Sequence, residues 1–124
     1  MQDKPDAAAI VATVNAFLRE TILPLLSGRA AFDLRVSMNA LELVGRELVL
    51  SPASDAAEAA RLSALLGETG TLEDLNQTLG QRIAAGEIGL ETPGLIDHLR
   101  ATAIEKLAVD QPKYSSYRRA LGKK

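Results

Sequence analysis

The sequence predicts an all-α protein, a single-domain bundle of about five helices with no sheet. Apolar residues recur at steps of three and four along most of the 124 residues, the spacing of one helical face. No segment shows sustained apolar–polar alternation with β-branched enrichment; residues 47–50 and 87–90 are the only short strand candidates. Composition agrees: hydrophobic residues make up 47% but aromatics only 3%, so the core is built from Leu, Ile, Val and Ala. Leu and Ala are also the strongest apolar helix formers.

The first helix is expected over about 5–26, with Pro5 in its first turn and Val11, Val14, Leu18, Ile22 and Leu25 on one face. Pro24 has no N–H for the carbonyl of Glu20, so it kinks or stops the helix there. Ser27 and Gly28 form a break. The second helix, about 29–50, is apolar on most sides through Phe32, Val36, Ala40, Leu41, Leu43, Val44 and Leu48, which reads as a central helix. Ser51-Pro52 is a cap followed by a first-turn proline. The third helix, about 52–66, is alanine-rich and stops at Gly67. Thr71 caps the fourth, about 72–85, by accepting from the Asp74 N–H. Gly80 inside it costs about 1 kcal/mol against Ala, which suggests a close helix contact. Gly86 ends it. Thr92-Pro93 opens the fifth, about 93–109, and Gln111-Pro112 closes it. The bundle is expected over residues 1–112. Residues 113–124 form a basic C-terminal tail, expected to be flexible and to contribute little to stability.

Charge and composition exclude several classes of chemistry. Net charge is −2, but residues 111–124 carry five cations and no acid, leaving −7 for the rest. There is no cysteine, hence no disulfide, zinc–thiolate site or thiol nucleophile, which is compatible with a reducing cytoplasm. Residues 1–6 hold Asp3, Lys4 and Asp6 rather than a basic leader. The apolar stretch that follows is broken by Thr13, Asn15, Arg19 and Glu20, too soon for a bilayer span. The expectation is a cytoplasmic protein that binds neither membrane nor nucleic acid. A helix-turn-helix drawn through helices three and four would point Glu73 and Asp74 at phosphates, which repel them. The only histidine, His98, stands alone, with no clustered ligands to make a metal site. It reads as a surface or cap residue. No metal, cofactor or catalytic residue is assigned.

One feature connects packing to binding. Arg35, Asn39, Glu42 and Arg46, spaced 4, 3 and 4, share one face of the second helix. They form either a solvated edge with a Glu42–Arg46 ion pair or a polar groove for an anion or a protein partner. In a central helix Arg35, Asn39 and Glu42 would be at least partly buried. Arg29 and Asp33 are a further i,i+4 pair that supports the helix locally.

Three groups of residues carry a family resemblance. The first runs from Phe17-Leu18-Arg19-Glu20 to Leu23-Pro24. The second is Gly28-Arg29-Ala30-Ala31-Phe32-Asp33-Leu34-Arg35-Val36 with Asn39-Ala40-Leu41 and Arg46-Glu47-Leu48. The third is His98-Leu99-Arg100-Ala101-Thr102 with Lys106-Leu107-Ala108 and Asp110-Gln111-Pro112-Lys113-Tyr114. In their order and spacing the chain resembles an uncharacterised bacterial family, a domain of unknown function. Its members are small helical proteins often encoded beside aminoglycoside-phosphotransferase-like kinases, sometimes with an acyl-CoA dehydrogenase. The resemblance implies a non-enzymatic accessory or interaction protein acting with a kinase-like partner, and a homodimer is expected from the apolar residues on several helix faces. The alternative is a carrier or sensor for an anionic metabolite.

Overall fold

The structure, a computed structural model, describes residues 4–123; Asp3 and Lys124 of the charge reading lie outside them. Among the described residues there are five α-helices and no strand. They are α1 (Ala7–Phe17), α2 (Gly28–Leu66), α3 (Leu72–Ala84), α4 (Leu95–Asp110) and α5 (Ser115–Ala120). Contacts divide the chain into two compact units, Met1–Ser51 and Pro52–Lys124.

In the N-terminal unit Asp6 caps α1 by accepting from the Ala9 N–H at 2.9 Å, so Pro5 precedes the helix rather than lying in its first turn. Beyond Phe17 the chain widens into a π-helical turn, Leu18–Ile22, and tightens into a 3₁₀ turn, Leu23–Leu25. Pro24 accounts for the change: it has no N–H to give the Glu20 carbonyl, and the Leu23 N–H reaches back to Leu18. The run Ala7–Leu25 is thus helical over 19 residues, with mean hydropathy 1.4 and 6% of it buried. That corrects the expectation that Thr13, Asn15, Arg19 and Glu20 make it too short for a span. By length and composition the run could cross a membrane, a test that core helices and signal sequences also pass.

The expected stop at Ser51-Pro52 is not made. α2 is continuous over 39 residues with Pro52 inside it. Pro52 withholds an N–H from the carbonyl of Leu48, a loss of about 3 kcal/mol in a helix interior. The run that follows, with Ala53, Ala56, Ala57, Ala59 and Ala60, is rich in the strongest helix former and carries the helix onward. Residues 47–50, a strand candidate, lie within this helix.

In the C-terminal unit Leu62, Leu66, Leu75, Leu79, Ile88 and Leu95 form a buried cluster, with Leu65 and Leu72 packed against it. Each such side chain removed from water stabilises the fold by about 1.5–3 kcal/mol. Gly67 and Gly86, both at positive φ, end α2 and α3 as expected. Thr71 caps α3 through the Asp74 N–H at 3.1 Å. Residues 87–90 are loop, not strand, and Ile88 within them joins the core. α4 starts at Leu95, two residues later than expected, because Thr92 accepts from the Gly89 N–H at 2.9 Å and closes the preceding loop instead. Gly80 is exposed and a Cβ there would meet nothing within 4 Å, so no close contact explains it. Residues 115–120 of the basic tail are helical.

Candidate functional site

The N-terminal unit contains a groove of about 540 Å³ between α1 and the first half of α2, whose surface is mostly apolar but which Asn15, Arg19, Glu42 and Arg46 also line. From α1 come Ala8, Val11, Ala12 and Asn15, and from the π-helical turn that continues it Arg19. From α2 come Leu41, Glu42, Gly45, Arg46, Val49 and Leu50. The space exists because Ala8, Ala12 and Gly45 are small where the two helices face each other. A Cβ on Gly45 would lie 3.8 Å from Val11, an ordinary contact, so the position admits a side chain and the groove is the room it leaves.

Asn15 is the buried polar residue of this groove, 6% exposed. Its side-chain oxygen Oδ1 is sealed from solvent and receives no hydrogen bond among the described residues. A buried acceptor without a donor costs about 1–3 kcal/mol, and native proteins keep few of them. Arg19, on the π-helical turn, pairs with Glu42 of α2. Both side chains are nearly half exposed, so the pair fixes geometry more than it stabilises. Arg46 lines the groove and is itself engaged in an interaction.

The structure therefore divides the four residues singled out by sequence. Glu42 and Arg46 line the groove, whereas Arg35 and Asn39, earlier on the same face, do not. The expectation that Arg35, Asn39 and Glu42 are partly buried is wrong: all three are exposed. It rested on α2 being a central helix, yet Phe32, Val36, Val44, Leu48 and Val49 of that helix are exposed too. An apolar helix is not buried until something packs on it. Arg29 and Asp33 form the expected local pair at 3.0 Å. Asn15 and Arg19, read earlier only as interruptions of an apolar stretch, are the residues that sequence reasoning missed. Their spacing of four, with Ala8 and Ala12 on the same face, was the available signal.

A second polar cluster lies in the C-terminal unit. Arg61 donates from Nε to Nδ1 of His98 at 3.2 Å and from Nη2 to Thr102 Oγ1 at 3.2 Å. It also forks onto Glu105, at 2.6 and 3.2 Å. His98 is 3% exposed, which corrects its reading as a surface or cap residue. Burial, followed by the Arg61 charge, pushes its pKa below the ordinary value, so it stands neutral with Nδ1 as acceptor. The hydrogen bond to Glu105 in turn raises the Arg61 pKa. His98, Thr102 and Glu105 are spaced 4 and 3 on α4 and face the one cation of the alanine-rich half of α2. Arg61 uses Nε, Nη1 and Nη2 within this cluster, which ties α4 to α2 and offers no free nucleophile or base. Among the described residues no group of His, Cys, Asp or Glu could hold a metal ion.

Fold and groove together define an all-α protein whose N-terminal helices flank an open, mostly apolar groove with one orphaned polar group among the described residues. Residues 24–114 match the model of a family described as a domain of unknown function, DUF6285, and the chain belongs to that family. No curated protein and no solved structure matches it.

Proposed function

We propose that the protein is a non-enzymatic accessory protein that works by docking a protein partner on its N-terminal unit. The observation that carries the proposal is surface chemistry. Ile10, Val14, Phe17, Leu25, Phe32, Val36 and Val44 of that unit are exposed, while Ala31 and Met38 are the only apolar residues it buries among the described residues. Exposed apolar side chains concentrated on one pair of helices mark an interaction surface. The family resemblance supports a phosphotransferase-like kinase as the partner, and a homodimer through the same face is the state in which the isolated chain would keep it dry. The lack of cysteine supports a cytoplasmic setting.

The test is light scattering of the isolated chain and of its mixture with a phosphotransferase-like kinase encoded beside the gene. A stable complex that Phe17→Glu with Val36→Glu abolishes, while the circular dichroism spectrum is retained, supports the reading. A monomer that forms no complex, with both substitutions silent, overturns it. Binding of a small molecule is the second reading, favoured by the orphaned Asn15 oxygen.

A further inference from the structure

We propose that the groove between α1 and α2 binds a neutral amphiphile, an aliphatic chain that ends in a hydrogen-bond-donating head such as a primary amide or an alcohol. Three observations specify this chemistry. First, the polar group that lacks a partner is an acceptor, Oδ1 of Asn15, on a side chain more than nine-tenths buried in the groove wall. A half-turn about the Cβ–Cγ bond exchanges Oδ1 with Nδ2 and needs no backbone movement, because that torsion is broad and two-fold. The oxygen then meets an N–H or O–H brought by the occupant. A primary amide or an alcohol supplies such a donor.

Second, the rest of the lining suits a hydrocarbon chain. Val11, Leu41, Val49 and Leu50 supply apolar walls, and Ala8 and Gly45 keep the channel open. Its volume of about 540 Å³ falls within the ordinary range of small-molecule sites. Third, the charged groups are already committed. Arg19 is paired with Glu42, and Arg46 has its own interaction. An anionic head would have to displace one of them, whereas a neutral donor needs only Asn15. The site is separate from the docking face, since Ile10, Val14, Phe17, Phe32 and Val36 do not line the groove.

The experiment is a nitrogen–proton NMR titration of the full chain with octanamide, 1-octanol and octanoate. Octanamide and 1-octanol are expected to shift the Asn15 side-chain NH₂ pair and the Gly45 amide. Asn15→Leu should weaken octanamide binding roughly tenfold, the equivalent of one net hydrogen bond. Gly45→Leu, which fills the channel, should abolish it. If either variant fails to fold, the wild-type titration still decides. An unmoved Asn15 pair overturns the proposal, as does octanoate binding as tightly as octanamide, which would make this an anion site. Unchanged octanamide affinity in a folded Asn15→Leu also overturns it, leaving a greasy slot without polar recognition. Because Phe17→Glu with Val36→Glu leaves the groove lining intact, loss of partner docking and loss of ligand binding are read separately.

Discussion

Of its apolar residues the chain buries Leu62, Leu66, Leu75, Leu79, Ile88, Leu95 and Val109 between Pro52 and Asp110, but only Ala31 and Met38 between Lys4 and Ser51. Yet the N-terminal stretch is no less apolar, for it exposes Phe17, Phe32, Val36 and Val49 at between 53% and 65%. The polar groups divide the same way. In the C-terminal unit Arg61, His98, Thr102 and Glu105 satisfy one another. In the N-terminal unit Asn15 is buried with its oxygen unpaired. Two parts of one long helix therefore serve different ends. The part after Pro52 closes a core, and the part before it presents an exposed apolar surface and a groove.

Substitutions can break or sharpen this contrast. The largest effect is expected at Leu62, which is fully buried. Leu62→Ala should lower unfolding free energy by about 2–5 kcal/mol in denaturant titrations, the usual cost of a core cavity. Val36→Ala, at 53% exposure, should stay within about 0.5 kcal/mol when the protein is dilute enough to be unassociated. Similar losses at the two sites would mean that the N-terminal unit has a core of its own.

The polar clusters give the next contrast. Arg61→Leu strands Glu105 and the His98 acceptor, and should cost roughly 1–3 kcal/mol by chemical denaturation, less than a fully buried pair because Arg61 is about a quarter exposed. Arg35→Leu, at an exposed position, should leave stability almost unchanged. The same cluster sets a pH dependence. The His98 pKa is lowered on folding, so between the folded and unfolded values the unfolded chain binds more protons. The contribution is whole above the unfolded value near 6.5 and is lost as pH falls through it toward the folded value. Arg61, Glu58 and Glu105 are the charged groups that act on the imidazole. Thermal melts from pH 7.5 to 5.5 should show the decline, and His98→Asn, which keeps an acceptor for Arg61, should flatten it.

The smallest effect is a gain. Gly80 is exposed in the interior of α3 with open space where a Cβ would go. Gly80→Ala should raise stability by up to about 1 kcal/mol. A loss would show that the glycine serves a contact absent from this chain alone.

Helix existence was legible in the sequence because period and punctuation agreed at Gly67, Thr71 and Gly86. It failed where a local signal met a stronger neighbour. Ser51-Pro52 looks like a helix start, but the alanine run behind it has enough propensity to hold the helix through the proline. Thr92 looks like a cap, but its hydroxyl is used by Gly89. The site was half legible. Glu42 and Arg46 stood out as charges on an apolar helix, but burial of the stripe was inferred from hydrophobicity alone. Hydrophobicity says that a face should be covered, not that this chain covers it. Asn15 and Arg61 were missed for a related reason. A polar residue within an apolar or alanine-rich run reads as an interruption until the facing helix is known, and His98 and Thr102 lie 37 and 41 residues from Arg61.

Hydrogen exchange of the unassociated chain tests the central claim most directly. If the N-terminal unit is completed by an occupant, amides in residues 7–50 should exchange far faster than those in residues 57–109, and should slow when the partner is bound. Equal protection of the two stretches in the free monomer would contradict the account, because it would show that the exposed helices are stable without anything covering them.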